Sequence, residues 1–416
     1  MIHNFTLSNG LSVLVEEMSH VESASYDLLI PGGYVCDPDK RIGGALILAE
    51  LISRGAGPYD SRELSERFDA MGIRHGEGAG TDRYGLSGSL VGGALSEALK
   101  LVSCMVSAPT LPEEEIPNIQ SVLLQDIQSL NDNPARRSMV ELTRRYYPAP
   151  YNRPSLGDAD GIKACSRETL RELYQKSFGP GKAILSIAGK VDLARVRKDV
   201  EALFGKWDGG AAEVPEFGAM PRHEYFHIPY DSSQVQIVLA SPSVRFNDDQ
   251  YYSGKIAVSL LGASMFGRLF VELREKRGLC YSVYARHGST MSYGTVTAYV
   301  GTTPERAQES LDVLVQEMSR LRGSIAPDEL ERAKTNLKAA LVMGEESPAS
   351  RASSNATDWW FLRRVRPLSE INREIDKVSI DSVNEFLDAH PFRPASLLTL
   401  GKQELQVPSG LVTGEF

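Results

Sequence analysis

The sequence predicts an α+β protein built from two similar halves, each an antiparallel-rich sheet with helices packed on one side. Three observations support this fold class. The chain has 416 residues, more than one ordinary hydrophobic core needs. Its element signals recur at a spacing of about 210 residues, as an internal duplication requires. A stretch rich in Gly, Ala and Pro separates the two copies.

The duplication is visible in signals that occur once in each half. Tyr84 and Tyr293 each precede a Gly and open a predicted strand, and an amphipathic helix follows. Pro112 and Pro327 each stand beside acidic residues, which is typical of a helix N-terminus. A Ser-capped helix and a short buried strand then close each half.

The same signals predict the domain boundaries. The segment after Trp207 reads Asp-Gly-Gly-Ala-Ala-Glu-Val-Pro-Glu-Phe-Gly, a composition typical of linkers. We therefore predict an N-terminal half over residues 1–207, a linker over 208–222 and a C-terminal half over 223–416.

Composition excludes several classes of function. The net charge of −9 without a basic block argues against a nucleic-acid partner. No apolar run reaches the length of a membrane span, and we expect neither a signal peptide nor a membrane contact. Four widely scattered cysteines predict free thiols in a reducing compartment, and hence a cytoplasmic protein.

Residues 264–284 carry the most information. Their apolar spacing predicts a helix with Glu272 on its outer face, Gly278 as its left-handed stop and a strand from Leu279. This sharp corner brings Arg277 and Tyr281 close together. The apolar stripe of the helix comprises Phe266, Leu269, Phe270 and Leu273.

This stretch resembles a signature of the pitrilysin/insulinase family of zinc peptidases, in the branch of the mitochondrial processing peptidase. The resemblance implies two halves closed like a clam shell around a chamber, with Arg277 and Tyr281 binding the substrate backbone near the scissile bond. An alternative without function remains open, in which Arg277 stabilises the helix end by its charge and Tyr281 only packs.

In active members of this family, an early helix carries H-x-x-E-H, and a later Glu completes the zinc site. Here the resemblance places Leu46 and Glu50 at the two His positions, Ala49 at the general base and Asp126 near the later ligand. Two carboxylates without nitrogen or sulfur partners make a poor zinc site. A register shifted by one residue fails equally, so we interpret this segment as a core helix.

A literal H-E-x-x-H occurs elsewhere, from His223 to His227. Prolines on both sides leave no room for the helix that this motif requires. On a strand the two His would lie roughly 13 Å apart, too far for one ion without other ligands. The other histidines have no ligand spacing, and we expect His287 to be a solvated loop residue.

A lost metal site beside a retained Arg/Tyr motif matches the non-catalytic subunit of the family's heterodimers. We therefore expect a chain that is inactive alone, binds no cofactor and holds peptide substrates for a homologous zinc-bearing partner. Two alternatives stay open: a structural core protein of a larger complex, and a self-sufficient hydrolase with an unrecognised site.

Overall fold

A computed structural model describes residues 2–218 and 222–412. Its strands are β1 (Ile2–Thr6), β2 (Ser12–Glu17), β3 (Ser23–Pro31), β4 (Gly55–Ala56), β5 (Tyr59–Asp60), β6 (Arg74–Ala79), β7 (Arg83–Val91), β8 (Ile184–Gly189), β9 (Tyr225–Pro229), β10 (Val235–Ser243), β11 (Cys280–Ser289), β12 (Gly294–Thr302) and β13 (Ser396–Gly401).

The α-helices are α1 (Gly44–Leu51), α2 (Ser61–Ala70), α3 (Leu95–Ser107), α4 (Ile116–Ser129), α5 (Pro134–Tyr146), α6 (Ala159–Lys163), α7 (Arg167–Ser177), α8 (Leu193–Phe204), α9 (Tyr251–Gly262), α10 (Ala307–Arg320), α11 (Pro327–Glu345), α12 (Pro348–Leu362), α13 (Leu368–Lys377) and α14 (Ile380–Ala389). A π-helix spans Phe270–Lys276. Across the two described ranges, no helix combines the length and apolar character that a bilayer span needs. The predicted α+β class is confirmed.

Five strands of each main sheet follow the same order. Read from β6, the first sheet runs β6-β7-β3-β8-β2-β1, and the second sheet runs β11-β12-β10-β13-β9. In the first sheet, β2 pairs with β8 in parallel, and the remaining pairs are antiparallel. In the second, β9 pairs with β13 in parallel, and the remaining pairs are antiparallel. Five strands of each sheet therefore correspond in order and direction.

The chain folds into two compact units whose boundaries differ from the predicted ones. The first unit contains the chain up to Ser129, Arg153–Pro215 and Val342–Arg366. The second contains Leu130–Asn152, Glu216–Leu341 and the chain from Pro367. Two helical segments are therefore exchanged relative to the predicted halves 1–207 and 223–416. Leu130–Asn152 belongs to the second unit, and Val342–Arg366 belongs to the first.

Helix α12 covers one face of the first unit's main sheet. On the strand β3, Leu28 faces the large core beneath α1 and α3, whereas Leu29 faces the other way and packs with Trp360 of α12. Alternate residues of a strand point to opposite faces, so helices cover both faces of this sheet. The prediction of helices on one side only was wrong.

Helix α5 has the equivalent place in the second unit. Its Leu142 and Tyr146 are buried against Val238 of β10 and Leu398 of β13. The large core of this unit lies on the other face, where Ile237 joins the helices. Amphipathic periodicity can indicate that a helix has an apolar face, but it carries no information on which sheet that face covers.

Residues within the predicted linker 208–222 contact the folded units. Ala211 forms a bridge with Phe178 in the first unit. In the second unit, the Phe217 ring lies 4.4 Å from the Tyr293 ring and 5.3 Å from the Tyr151 ring, measured between centroids. Residues 219–221 of the predicted linker lie outside the described residues.

Candidate functional site

The helix at which the resemblance places the zinc site is a core helix. Asp37 caps the N-terminus of α1, accepting from the Gly43 amide at 2.7 Å and the Ala45 amide at 2.8 Å. Ile47 and Leu51, the His positions of the shifted register, are fully buried in the core. The interpretation of this segment as a core helix is therefore confirmed.

The four predicted metal-site positions carry no set of zinc ligands. Leu46 is partly exposed, Ala49 is buried, and Glu50 is exposed. The Glu50 carboxylate forms an ion pair with Arg54 one turn later, at 3.6 Å. Asp126 is partly exposed on α4, which packs against α1. Among residues 2–218 and 222–412, no three His, Cys, Asp or Glu side chains are grouped to hold a metal ion. These residues do not fit zinc.

The literal H-E-x-x-H is extended, as predicted. His223 precedes β9, and His227 lies within it. The Nδ1 atom of His227 forms a hydrogen bond of 3.0 Å with the Thr399 hydroxyl on the neighbouring strand. Burial lowers the pKa of His223. One imidazole therefore lies on a strand and the other just before it, so the motif does not have the helical geometry of a zincin.

The corner at Gly278 forms as the sequence predicts. Gly278 has φ of 59°, the left-handed conformation that favours glycine. Its amide donates to the Arg274 carbonyl at 3.2 Å, and the Leu279 amide donates to the Leu273 carbonyl at 2.7 Å. The strand β11 then begins at Cys280, at the edge of the second sheet.

The helix before the corner differs from the prediction in two ways. Residues 264–267 form a turn, so Phe266 lies outside the helix and its side chain is 67% exposed. From Phe270 to Lys276 the helix is a π-helix, a wider form often found at functional sites. Leu269 and Leu273 of the apolar stripe are fully buried as predicted, whereas Phe270 is partly exposed.

Glu272 is buried, although we placed it on the outer face. Its side chain lies beneath the corner and accepts from Lys276 Nζ at 2.7 Å and from Arg277 Nη1 at 2.5 Å. Hydrogen bonds from Lys276 and Arg277 lower the pKa of Glu272. The wide turn of the π-helix explains the error, because it moves residues off the positions that an α-helical spacing predicts.

Tyr281 is 79% exposed, so it does not merely pack. The guanidinium of Arg274 lies over one face of the Tyr281 ring, and its Cζ is 5.2 Å from the ring centroid. The same guanidinium lies 4.9 Å from the Phe270 ring. Sequence reasoning missed Arg274 and selected Arg277, because the partner of Tyr281 depends on how the chain turns at Gly278.

A second carboxylate lies beneath this cluster. Arg320 on α10 approaches Glu272 at 3.8 Å, and its Nε lies 3.1 Å from the Glu317 carboxylate. Glu317 is only 1% exposed, and burial raises its pKa. Beneath the corner, the carboxylates of Glu272 and Glu317 therefore lie on either side of the Arg320 guanidinium. Arg274 and Tyr281 are exposed.

His287 lies farther along β11, not in a loop. It is partly buried, and burial lowers its pKa to about 4, so the imidazole is neutral at pH 7. The prediction of a solvated loop His was therefore wrong. The four cysteines are free thiols, as predicted.

Comparison with known proteins agrees with this architecture. Residues 164–337, which include the Gly278 corner, match the family described as the peptidase M16 inactive domain. Over this segment the chain is similar to the M16 peptidases. This confirms the predicted resemblance to the pitrilysin/insulinase peptidases.

Curated relatives of this chain carry the name of zinc protease. An uncharacterized zinc protease of Bacillus subtilis (strain 168), YmxG, is 26% identical over 392 residues, covering 92% of this chain and 94% of the relative. An uncharacterized zinc protease of Rickettsia felis is 24% identical over 392 residues, with the same two coverages.

Solved structures share the fold. A peptidase M16 inactive domain from Pseudomonas fluorescens superposes with a TM-score of 0.86 at 23% identity, covering 98% of this chain and 99% of that one. A protease from Helicobacter pylori gives 0.88 at 17% identity, covering 96% and 99%. A chain of complex III2 from Candida albicans gives 0.82 at 18% identity, covering 97% and 96%.

Proposed function

We propose that this M16 relative is the non-catalytic, substrate-binding subunit of a heterodimeric zinc peptidase, in the branch of the mitochondrial processing peptidase. A homologous partner chain would supply the zinc ion and the general base. The observation that carries this proposal is the contrast between two sites of one chain. The zinc helix presents Leu46, Ala49 and Glu50, whereas the Gly278 corner presents polar groups to solvent.

The corner offers donors for a peptide backbone. The Tyr281 hydroxyl and the guanidinium groups of Arg274 and Arg277 can donate to substrate carbonyl oxygens, and such bonds strengthen as negative charge develops on the oxygen. Because β11 lies at a sheet edge, an extended peptide could also pair with it. In this proposal the chain binds and orients peptide, and the partner cleaves it.

The proposal includes the internal duplication and the clam-shell chamber that the resemblance implies. The common strand order of the two sheets supports the duplication. A cytoplasmic location is part of the same proposal and rests on the four scattered free cysteines.

Reconstitution tests this function. The chain should be purified alone and mixed with a homologous chain of the same genome that carries an intact H-x-x-E-H. We expect no hydrolysis of labelled casein by this chain alone, a species near twice the mass after mixing, and hydrolysis by the mixture that exceeds that of the partner alone. A mixture that remains two separate monomers at micromolar concentration would contradict the proposal.

A second candidate is a structural subunit of a larger complex. The similarity to a chain of complex III2 from Candida albicans favours it. In that case the chain should purify from its native cells in a large assembly, and Tyr281→Phe should leave that assembly and its activity unchanged.

A further inference from the structure

Glu272 holds Arg277 by one side of its guanidinium group. The Nη1 atom of Arg277 donates both to the Glu272 carboxylate, at 2.5 Å, and to the Glu272 carbonyl, at 2.9 Å. Within the part of the chain that the structure describes, Nε and Nη2 of Arg277 make no hydrogen bond. The Arg277 side chain is 36% exposed, so this second edge is accessible from solvent.

The backbone explains this grip. The backbone hydrogen bonds of a π-helix join residues five positions apart, and Glu272 and Arg277 have that spacing. Gly278 then ends the helix, so no further helical turn follows Arg277. The guanidinium is therefore oriented by its own helix before any ligand arrives.

We propose that Glu272 is a positioning residue that pre-orients Arg277, leaving the Nε and Nη2 edge to bind a substrate carbonyl or carboxylate. This inference rests on the proposed function, because it gives a role to a contact of the substrate-binding corner. Orientation in advance improves binding by reducing the side-chain entropy that is lost when the ligand binds. A flexible arginine at the same place would bind the same group more weakly.

The charges around Glu272 fit a grip that persists in solution. Its carboxylate has Lys276 and Arg277 within hydrogen-bonding distance and Arg320 at 3.8 Å. Three cations keep this buried group ionised. Glu317, which pairs with Arg320, is a nearby group of like charge. A neutral amide at position 272 would accept one bond but would lose the attraction that fixes the planar guanidinium.

Replacing Glu272 should cost little stability. The Lys276 side chain is 62% exposed and that of Arg277 is 36% exposed, so water can solvate both cations when the carboxylate is gone. The effect of Glu272→Gln should therefore concern binding more than folding. Glu275→Gln is the matched control, because Glu275 is an exposed glutamate of the same π-helix.

A double-mutant cycle tests the inference. The variants are Glu272→Gln, Arg277→Ala, the double variant and Glu275→Gln, in the full-length chain. Binding of fluorescently labelled casein is measured by anisotropy, and kcat and KM are measured after reconstitution with the zinc-bearing homologue. We expect Glu272→Gln and Arg277→Ala each to weaken casein binding by about tenfold, and the double variant to bind no worse than Arg277→Ala.

The outcomes separate the two proposals. Additive losses, or a normal Kd and KM for Glu272→Gln beside a weakened Arg277→Ala, would overturn the positioning role while keeping Arg277 in the binding site. A normal Arg277→Ala, or a wild-type chain that binds no casein, would overturn the role of Arg277 in the proposed function and this inference with it. An equal loss in Glu275→Gln would show a general charge effect and would also overturn the positioning role.

Discussion

Arg351 and Glu16 lie 335 residues apart in the sequence and are joined by a hydrogen bond of 2.9 Å between Nε and the carboxylate. The bond ties the exchanged helix α12 to the strand β2. Asn355 donates to the same carboxylate at 2.7 Å, and Glu345 forms an ion pair with Arg351. The Arg351 side chain is only 7% exposed, so this network is a buried anchor of the exchanged helix.

Replacing Arg351 by Met should destabilise the protein by about 3 kcal/mol, because it leaves two partly buried carboxylates without their cation. Urea unfolding followed by circular dichroism measures this loss. Arg322→Met is the matched control, since Arg322 pairs with Asp388 on the surface and its loss should change stability far less. Equal losses for both variants would contradict the buried anchor.

Under the proposed function, Arg274→Ala and Tyr281→Phe should each lower the turnover of the reconstituted peptidase by roughly tenfold to a thousandfold, because each removes a proposed hydrogen-bond donor to substrate. Their melting temperatures should stay near that of the wild type, since Tyr281 is exposed. Arg286→Ala serves as the control, because Arg286 stacks on a different tyrosine of the same strand, Tyr284, at 4.4 Å. Full turnover in both corner variants would contradict a substrate-binding role.

The purified chain should contain no stoichiometric zinc, and added zinc should not raise its melting temperature. The reason is the absence of imidazoles at positions 46 and 50 of α1. In the double variant Leu46→His, Glu50→His, two imidazoles share one helix face, and zinc should then raise the melting temperature. Atomic absorption that finds about one zinc per wild-type chain would show that we have misjudged the site.

Asp37 should make stability depend on pH. Burial raises its pKa to about 7, against the opposing effect of the Gly43 and Ala45 amides. A carboxyl group whose pKa is raised in the folded state favours folding while it is protonated, and this contribution fades as the pH rises from about 4 to 7. The stability of the wild type relative to Asp37→Asn should therefore fall between pH 5 and pH 8.

Urea unfolding of both proteins at several pH values measures this difference. Asn at position 37 can accept from only one of the two α1 amides, so the variant should lose about 1 kcal/mol for the missing bond at any pH. A difference between the two proteins that stays constant from pH 5 to pH 8 would mean that the amides keep the pKa of Asp37 low.

Neither half of the chain, divided after Pro215, should fold alone. A fragment of residues 1–215 lacks α12 and exposes Leu14, Leu29 and Ile184 on the first sheet. A fragment of residues 216–416 lacks α5 and exposes Val238 and Leu398 on the second. We expect each fragment to bind the dye ANS or to aggregate, and the two to become soluble when co-expressed. Cooperative unfolding of either fragment by itself would contradict this expectation.

Local signals in the sequence were sufficient for many elements. The left-handed stop at Gly278 and the extended H-E-x-x-H follow from backbone preferences of single residues, and both formed as predicted. Errors arose where the outcome depends on tertiary structure. The π-helix moved Glu272 inward, and the turn at residues 264–267 left Phe266 exposed. Neither feature alters the apolar spacing on which the prediction was based.

The candidate site shows the same division. The resemblance assigned the positions of the missing zinc ligands from residue identity alone, and that assignment stays a prediction. The contact of Arg274 with Tyr281 was not predictable, because the two residues lie on opposite sides of a corner whose geometry is set by Gly278 and the π-helix. The exchange of α5 and α12 escaped for a similar reason, as amphipathic periodicity identifies an apolar helix face but not the surface that it covers.

The exchange of α12 also sets the order of events during synthesis. The first sheet has all its strands once Gly189 has emerged from the ribosome, yet the helix that covers its second face ends at Leu362. Apolar side chains on that face therefore remain exposed to solvent while most of the second unit is translated. The nascent chain should be a client for chaperones over this interval, and the first unit should reach its native state only when synthesis is nearly complete.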